Sequence, residues 1–132
     1  MDSFNSRILI ADSDPDVSIT LQLYFEANGH EVLLVELAGN VLKAARQRQP
    51  NAIVISSEAS DKNPYSVCQA VRADTLTAHI PIIMLLHLDE RQERLAALEV
   101  GADDIAPKPL DIEELRLRVE AVIRLSTSRV QA

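Results

Sequence analysis

The sequence predicts a single α/β domain, a doubly wound parallel sheet with helices on both faces, and three observations predict it. Short unbroken apolar runs alternate with segments of helical periodicity five times along 132 residues. The helical segments open on Asp, Asn or Pro, and several close at Gly or just before Pro. A composition of 47% hydrophobic and 25% charged residues is that of one ordinary globular domain, able to bury about two-thirds of its unfolded surface.

Ile8-Leu9-Ile10-Ala11 is too short for a helix and is bounded by polar residues, so it reads as a first strand buried on both faces. Asp14-Pro15 supplies an N-cap and a first-turn proline for a helix in which Val17, Leu21, Tyr24 and Phe25 share a face until Asn28-Gly29. Glu31 to Val35 is the second strand. The helix after Asn40 carries Val41, Leu42, Ala44 and Ala45 and ends before Pro50. Ala52 to Ile55 is the third strand, and Pro64 opens a helix with Val67, Cys68, Val71 and Leu76 on its inner side. Ile80 to Leu86, the most apolar run, is the fourth strand. Asp89 caps a helix carrying Leu95, Leu98 and Val100 that stops at Gly101, and Asp104-Ile105-Ala106 is a weak fifth strand. Asp111 caps the last helix, in which Ile112, Leu115, Val119, Val122 and Ile123 keep helical spacing to about Leu125. From Ser126 the segment STSRVQA loses periodicity. The domain therefore reads as 1–126, with 127–132 a tail or the start of a linker.

A formal charge of −7 without a Lys/Arg run argues against direct nucleic-acid binding and against an anionic membrane surface. The single Cys68 allows no internal disulfide, no Cys/His cluster has zinc spacing, and no apolar run reaches the roughly 18 residues of a membrane span. With no apolar leader at the amino terminus, these features point to a soluble protein of a reducing cytoplasm.

The segments ILIADSDPDV, ANGHEV, PNAIVIS, AHIPIIMLL and LEVGADDIAPKPLDIEELRLRV, in that order and spacing, resemble the receiver domain of bacterial response regulators, from about Arg7 to Leu125. The most specific is the last, with Gly-Ala-Asp-Asp followed by Lys-Pro and an acidic helix start. The resemblance implies a flavodoxin-like fold of five strands in the order 2-1-3-4-5 and five helices. It also implies a pocket at the carboxyl ends of strands one, three, four and five, where ligands of open α/β sheets bind.

In a phosphate-accepting receiver, the resemblance implies an acidic pair after the first strand, the second acid binding Mg²⁺, and a phosphoacceptor aspartate after the third. It implies Thr or Ser after the fourth strand and Lys-Pro after the fifth. Asp12 matches the first acid and Lys108 the lysine, but Ser13 stands at the second acid and Ser56 at the acceptor. Leu86 takes the Thr/Ser position, with His87 after it, and Ile105 stands where the family often has a switching Tyr or Phe. Mg²⁺ needs carboxylate oxygens that neutral hydroxyls do not replace. A serine would also require a general base and would form a stable ester rather than an acyl phosphate. The expectation is a degenerate, non-enzymatic receiver without cofactor or metal, in which Lys108 pairs with Asp12 or hydrogen-bonds Ser56.

Other roles for nearby residues are weighed against this. Asp14 reads as a helix cap, Asp103-Asp104 as a solvated turn and Cys68 as a core residue, while His87 is either a plain loop residue or a plug over the pocket. Asp14, Glu58 or Asp61 would serve as displaced acceptors if the chain were phosphorylatable after all, and a small-ligand sensor is a third reading. A module without chemistry acts through a surface, either on a protein partner or on a covalently linked output domain. The family implies the fourth helix, fifth strand and fifth helix as that surface, also used for homodimers. Glu113, Glu114, Arg116, Arg118, Glu120 and Arg124 read as its mixed-charge outer face.

Overall fold

In the computed structural model, which describes residues 5–57, 59, 63–86, 91–108 and 110–131, the alternating pattern becomes five strands and five helices. In chain order they are β1 (Arg7–Ala11), α1 (Pro15–Ala27), β2 (Glu31–Val35), α2 (Val41–Arg48), β3 (Ala52–Ser56), α3 (Pro64–Ala73), β4 (Ile82–Leu86), α4 (Arg91–Glu99), β5 (Asp104–Pro107) and α5 (Ile112–Gln131). A short 3-10 turn, Ala38–Asn40, leads into α2. The strands are all parallel and ordered β2-β1-β3-β4-β5, the order that the sequence led us to expect.

The central strands β3 and β4 are buried at every position, which is why they read as unbroken apolar runs. Leu9, Ile53, Ile55, Ile82 and Met84 face α2, α3 and α4, packing against Val41, Ala45, Cys68, Val71 and Ala97. Ile8, Ile10, Val54, Ile83 and Leu85 face α1 and α5, against Leu21, Phe25, Leu115, Val119 and Ile123. Side chains alternate across the sheet, so each strand contributes to both layers. Among the described residues, no helix is long and apolar enough to cross a membrane.

Helix starts follow the expected chemistry. Asp14 accepts from the Asp16 backbone N–H, Asn63 from that of Tyr65 and Asp111 from that of Glu114, at 3.0, 2.8 and 3.1 Å. The cap expected at Asp89 lies outside the described residues.

Four expectations are corrected. Leu76 is not on the inner side of α3: the helix ends at Ala73, and Leu76 sits on the following turn, 57% exposed. In α4 the buried residue is Ala97, while Leu95 and Leu98 are exposed, because helical spacing alone does not say which stripe meets the sheet. Ile80 and Pro81 precede β4 rather than belonging to it. Pro81 has no N–H for a central ladder, although its carbonyl still accepts from Ile53. Finally, α5 runs to Gln131, past the loss of periodicity near Leu125. Adding residues to an existing helix is far easier than nucleating one, and the segment contains neither Gly nor Pro to stop it.

Candidate functional site

The site is assembled from strand ends. In the order β2-β1-β3, the chain leaves β1 towards one side of the sheet and β3 lies on the other, so the carboxyl ends of β1 and β3 flank the switch point where such sheets open a crevice. Asp12 directly follows β1, Ser56 ends β3, Leu86 ends β4 and Lys108 directly follows β5. The Lys108 backbone N–H donates to the Leu86 carbonyl at 2.8 Å, which continues the ladder by one residue and aims the lysine at the crevice.

The structure brings Asp12, Ser56 and Lys108 together. Lys108 Nζ donates to Ser56 Oγ at 2.8 Å and lies 3.4 Å from Asp12 Oδ2. The second Asp12 oxygen, Oδ1, accepts from the Asp14 backbone N–H at 3.0 Å, and the Ser18 hydroxyl donates to the Asp12 carbonyl at 3.1 Å. The Asp12 side chain has no exposed area and that of Lys108 only 8%. One carboxylate and one ammonium therefore neutralise each other where both side chains are buried. Leu86 is fully buried beside them and offers no hydroxyl, Ser13 is half-buried, and His87 lies outside the described residues.

These donors do not fit the divalent cation that the family resemblance implies. Mg²⁺ takes hard oxygen donors in near-octahedral geometry, and two of the positions concerned hold neutral hydroxyls. Both oxygens of the remaining carboxylate are already engaged, one by a backbone N–H and one by an ammonium. Among the described residues, no group of three or more His, Cys, Asp or Glu side chains could hold a metal ion.

The family model of the response regulator receiver domain matches residues 8–120. The chain belongs to this family. It is 36% identical over 128 residues to the DNA-binding dual master transcriptional regulator RpaA of Synechocystis, covering 96% of this chain and 52% of that protein. It is 32% identical over 122 residues to the alkaline phosphatase synthesis transcriptional regulatory protein PhoP of Bacillus subtilis, covering 92% and 50%. This receiver thus spans about half the length of the curated relatives it matches. Among solved structures it superposes on a putative response regulator from Chloroflexus aurantiacus with a TM-score of 0.86 at 28% identity, covering 92% of this chain and 99% of that one.

The charged positions of the receiver's last helix do not form one outer face. Glu120 is buried, accepting from Arg116 at 3.2 Å and lying 3.0 Å from His30 Nε2. Arg116 also donates to the Tyr24 hydroxyl, and that bond, with the Glu120 carboxylate, holds its guanidinium above the usual arginine range. This group ties α5 to α1. Glu114 and Arg118 pair with each other on the β5 side, where Arg118 also forks onto Asp104 at 3.1 Å to both oxygens. Only Glu113 and Arg124 of the six are plainly exposed.

Nor is Asp103-Asp104 a merely solvated turn. Asp103 accepts from the Ile82 backbone N–H at 2.8 Å and pairs with Arg72, which also donates to the carbonyls of Gly101, Ala78 and Ile80. Arg72, His30 and Ser18 are structural side chains that the sequence reading missed, since their partners come from other parts of the chain.

Proposed function

We propose that this receiver is a degenerate one, a regulatory interaction module that works without Mg²⁺ and without accepting a phosphoryl group. The observation that carries the reading is the Lys108 ammonium bonded to Ser56 and Asp12 at once, which leaves the pocket electrically satisfied by its own side chains. Ser13 and Ser56 supply neither a second metal-binding carboxylate nor an acyl-phosphate acceptor. An acceptor displaced to Asp14 is disfavoured because that carboxylate already caps α1, while Glu58 and Asp61 lie outside the described residues.

A module of this kind acts by contact, not as an enzyme. The relatives are regulators described as DNA-binding or transcriptional, so the same role here is regulation through a protein partner or a linked output domain. Its charge of −7 favours leaving any nucleic-acid contact to that other domain, and a cytoplasmic setting fits such a role. The contact surface is that of α4, β5 and α5, where Leu95 and Leu98 are exposed on α4 and Arg118 links Asp104 of β5 to Glu114 of α5.

The test is an amide NMR titration with Mg²⁺ and then with Mg²⁺ plus beryllofluoride. Unchanged spectra for the native chain, with saturable Mg²⁺ shifts regained in a Ser13→Asp/Ser56→Asp variant, support the reading. Saturable shifts around Asp12, Ser56 and Lys108 in the native chain defeat it.

A further inference from the structure

The two edges of the sheet are unlike each other. At the β5 edge, Asp104 is a charged residue clamped by Arg118, a feature that discourages pairing with another strand. The β2 edge, Glu31-Val32-Leu33-Leu34-Val35, has neither proline nor a charge within 32–35. The Glu31 N–H donates to the Ser6 carbonyl of the neighbouring chain segment. By the alternation of a parallel ladder, Glu31, Leu33 and Val35 bond inward, and the N–H and C=O groups of Val32 and Leu34 point away from the sheet. Beside this edge lies a groove of about 410 Å³, lined by Leu34, Val35, Leu37, Lys43, Ala44 and Gln47. Leu34 and Leu37 are 38% and 40% exposed.

From this we infer a docking surface for a second copy of the chain, whose β2 pairs antiparallel with this one about a two-fold axis at Leu33. The edge is self-complementary in that register. Val32 faces Leu34 of the second copy and Leu34 faces its Val32, so the outward groups of both strands meet as hydrogen-bonded pairs. Leu33 meets its own symmetry mate across the closer, non-hydrogen-bonded spacing. Shifting by one residue sets inward-bonded groups against outward ones and loses the ladder.

Charge supports the same orientation. At the amino end of β2, Glu31 carries both Arg7 and Arg48, leaving a net positive corner. At its carboxyl end Glu36 is exposed and has no ion pair among the described residues. An antiparallel two-fold brings Glu36 to the Arg7–Arg48 corner of the other copy, twice per dimer. A parallel arrangement would set like corners together. This surface is separate from the Asp12–Ser56–Lys108 pocket and from the α4–β5–α5 face.

The experiment is sedimentation of the whole chain from micromolar to millimolar concentration, with amide hydrogen exchange at each end of the range. A concentration-dependent dimer is expected, in which the Val32 and Leu34 amides become protected. Leu34→Pro, which removes an outward N–H and leaves the bonds to β1 intact, abolishes it. Glu36→Arg, an exposed change that does not touch the fold, weakens it roughly tenfold. Leu98→Lys on α4 leaves it unchanged. A chain that stays monomeric at millimolar concentration overturns the proposal, as does a dimer indifferent to Glu36→Arg and Leu34→Pro but dissolved by Leu98→Lys.

Discussion

Lys108 Nζ donates a 2.8 Å hydrogen bond to Ser56 Oγ across the carboxyl ends of β3 and β5, while the same ammonium neutralises Asp12. The lysine thus joins the two ends of the site through one group. Its aliphatic stem is buried with it, the whole side chain being only 8% exposed.

Removing the ammonium should therefore strand a buried carboxylate. Lys108→Met is expected to destabilise the fold by about 3 kcal/mol in urea unfolding, because Asp12 loses its counter-charge in a place with no exposed area. Adding Asp12→Asn should recover most of that loss, since the amide still accepts from the Asp14 N–H without bearing a charge. Additive losses in the double variant would show that the pair is not coupled.

The fold was readable because strands buried on both faces announce themselves as apolar runs whatever their neighbours are. The caps at Asp14 and Asp111 were equally local. Asp12 and Ser56 could be set at strand ends for the same reason, whereas Lys108, after the weak β5, was placed by the resemblance to the receiver family. What the sequence did not show depends on distant partners: Glu120 looks like one more surface acid until His30, 90 positions away, is placed against it. Asp103 becomes structural only once Arg72 reaches it, and Leu95 and Leu98 keep helical spacing without meeting the sheet.

Gly101 is the position least able to accept a side chain. Its φ of +106° lies in the left-handed region, and a Cβ there would come within 2.9 Å of Arg72 Cγ. Gly101→Ala is expected to cost about 2 kcal/mol, combining backbone strain with displacement of the arginine that holds Gly101, Ala78 and Ile80 carbonyls. Thermal unfolding of Gly101→Ala, Arg72→Ala and the double variant checks this: the double should lose less than the sum.

Asp74 gives the acid-side behaviour a defined sign. The Leu76 backbone N–H, and after it the Arg46 side chain, hold its carboxyl below the usual aspartate range. A depressed folded-state value means that this group stabilises the fold above the ordinary aspartate range and loses that contribution as pH falls through the lowered value. Asp74→Asn should therefore be less stable than the native chain at neutral pH and equal to it in strong acid. Urea midpoints of both proteins across that range test the point, and a gap that persisted unchanged in acid would contradict it.

Glu120 separates the structure's account of α5 from the sequence's. As an outer-face acid its truncation would change stability by no more than about 0.5 kcal/mol. Placed as it is, it accepts from Arg116 and contacts His30, whose side chain is wholly buried, so Glu120→Ala removes the shared partner of both. Arg116 keeps its bond to the Tyr24 hydroxyl and is partly exposed, whereas the imidazole is wholly buried. The expected loss is about 2 kcal/mol. Glu120→Gln keeps an oxygen for Arg116 and an amide within reach of His30, so it should lose about half as much. Urea unfolding of the two variants decides between the accounts, because a surface acid predicts that both behave like the native chain.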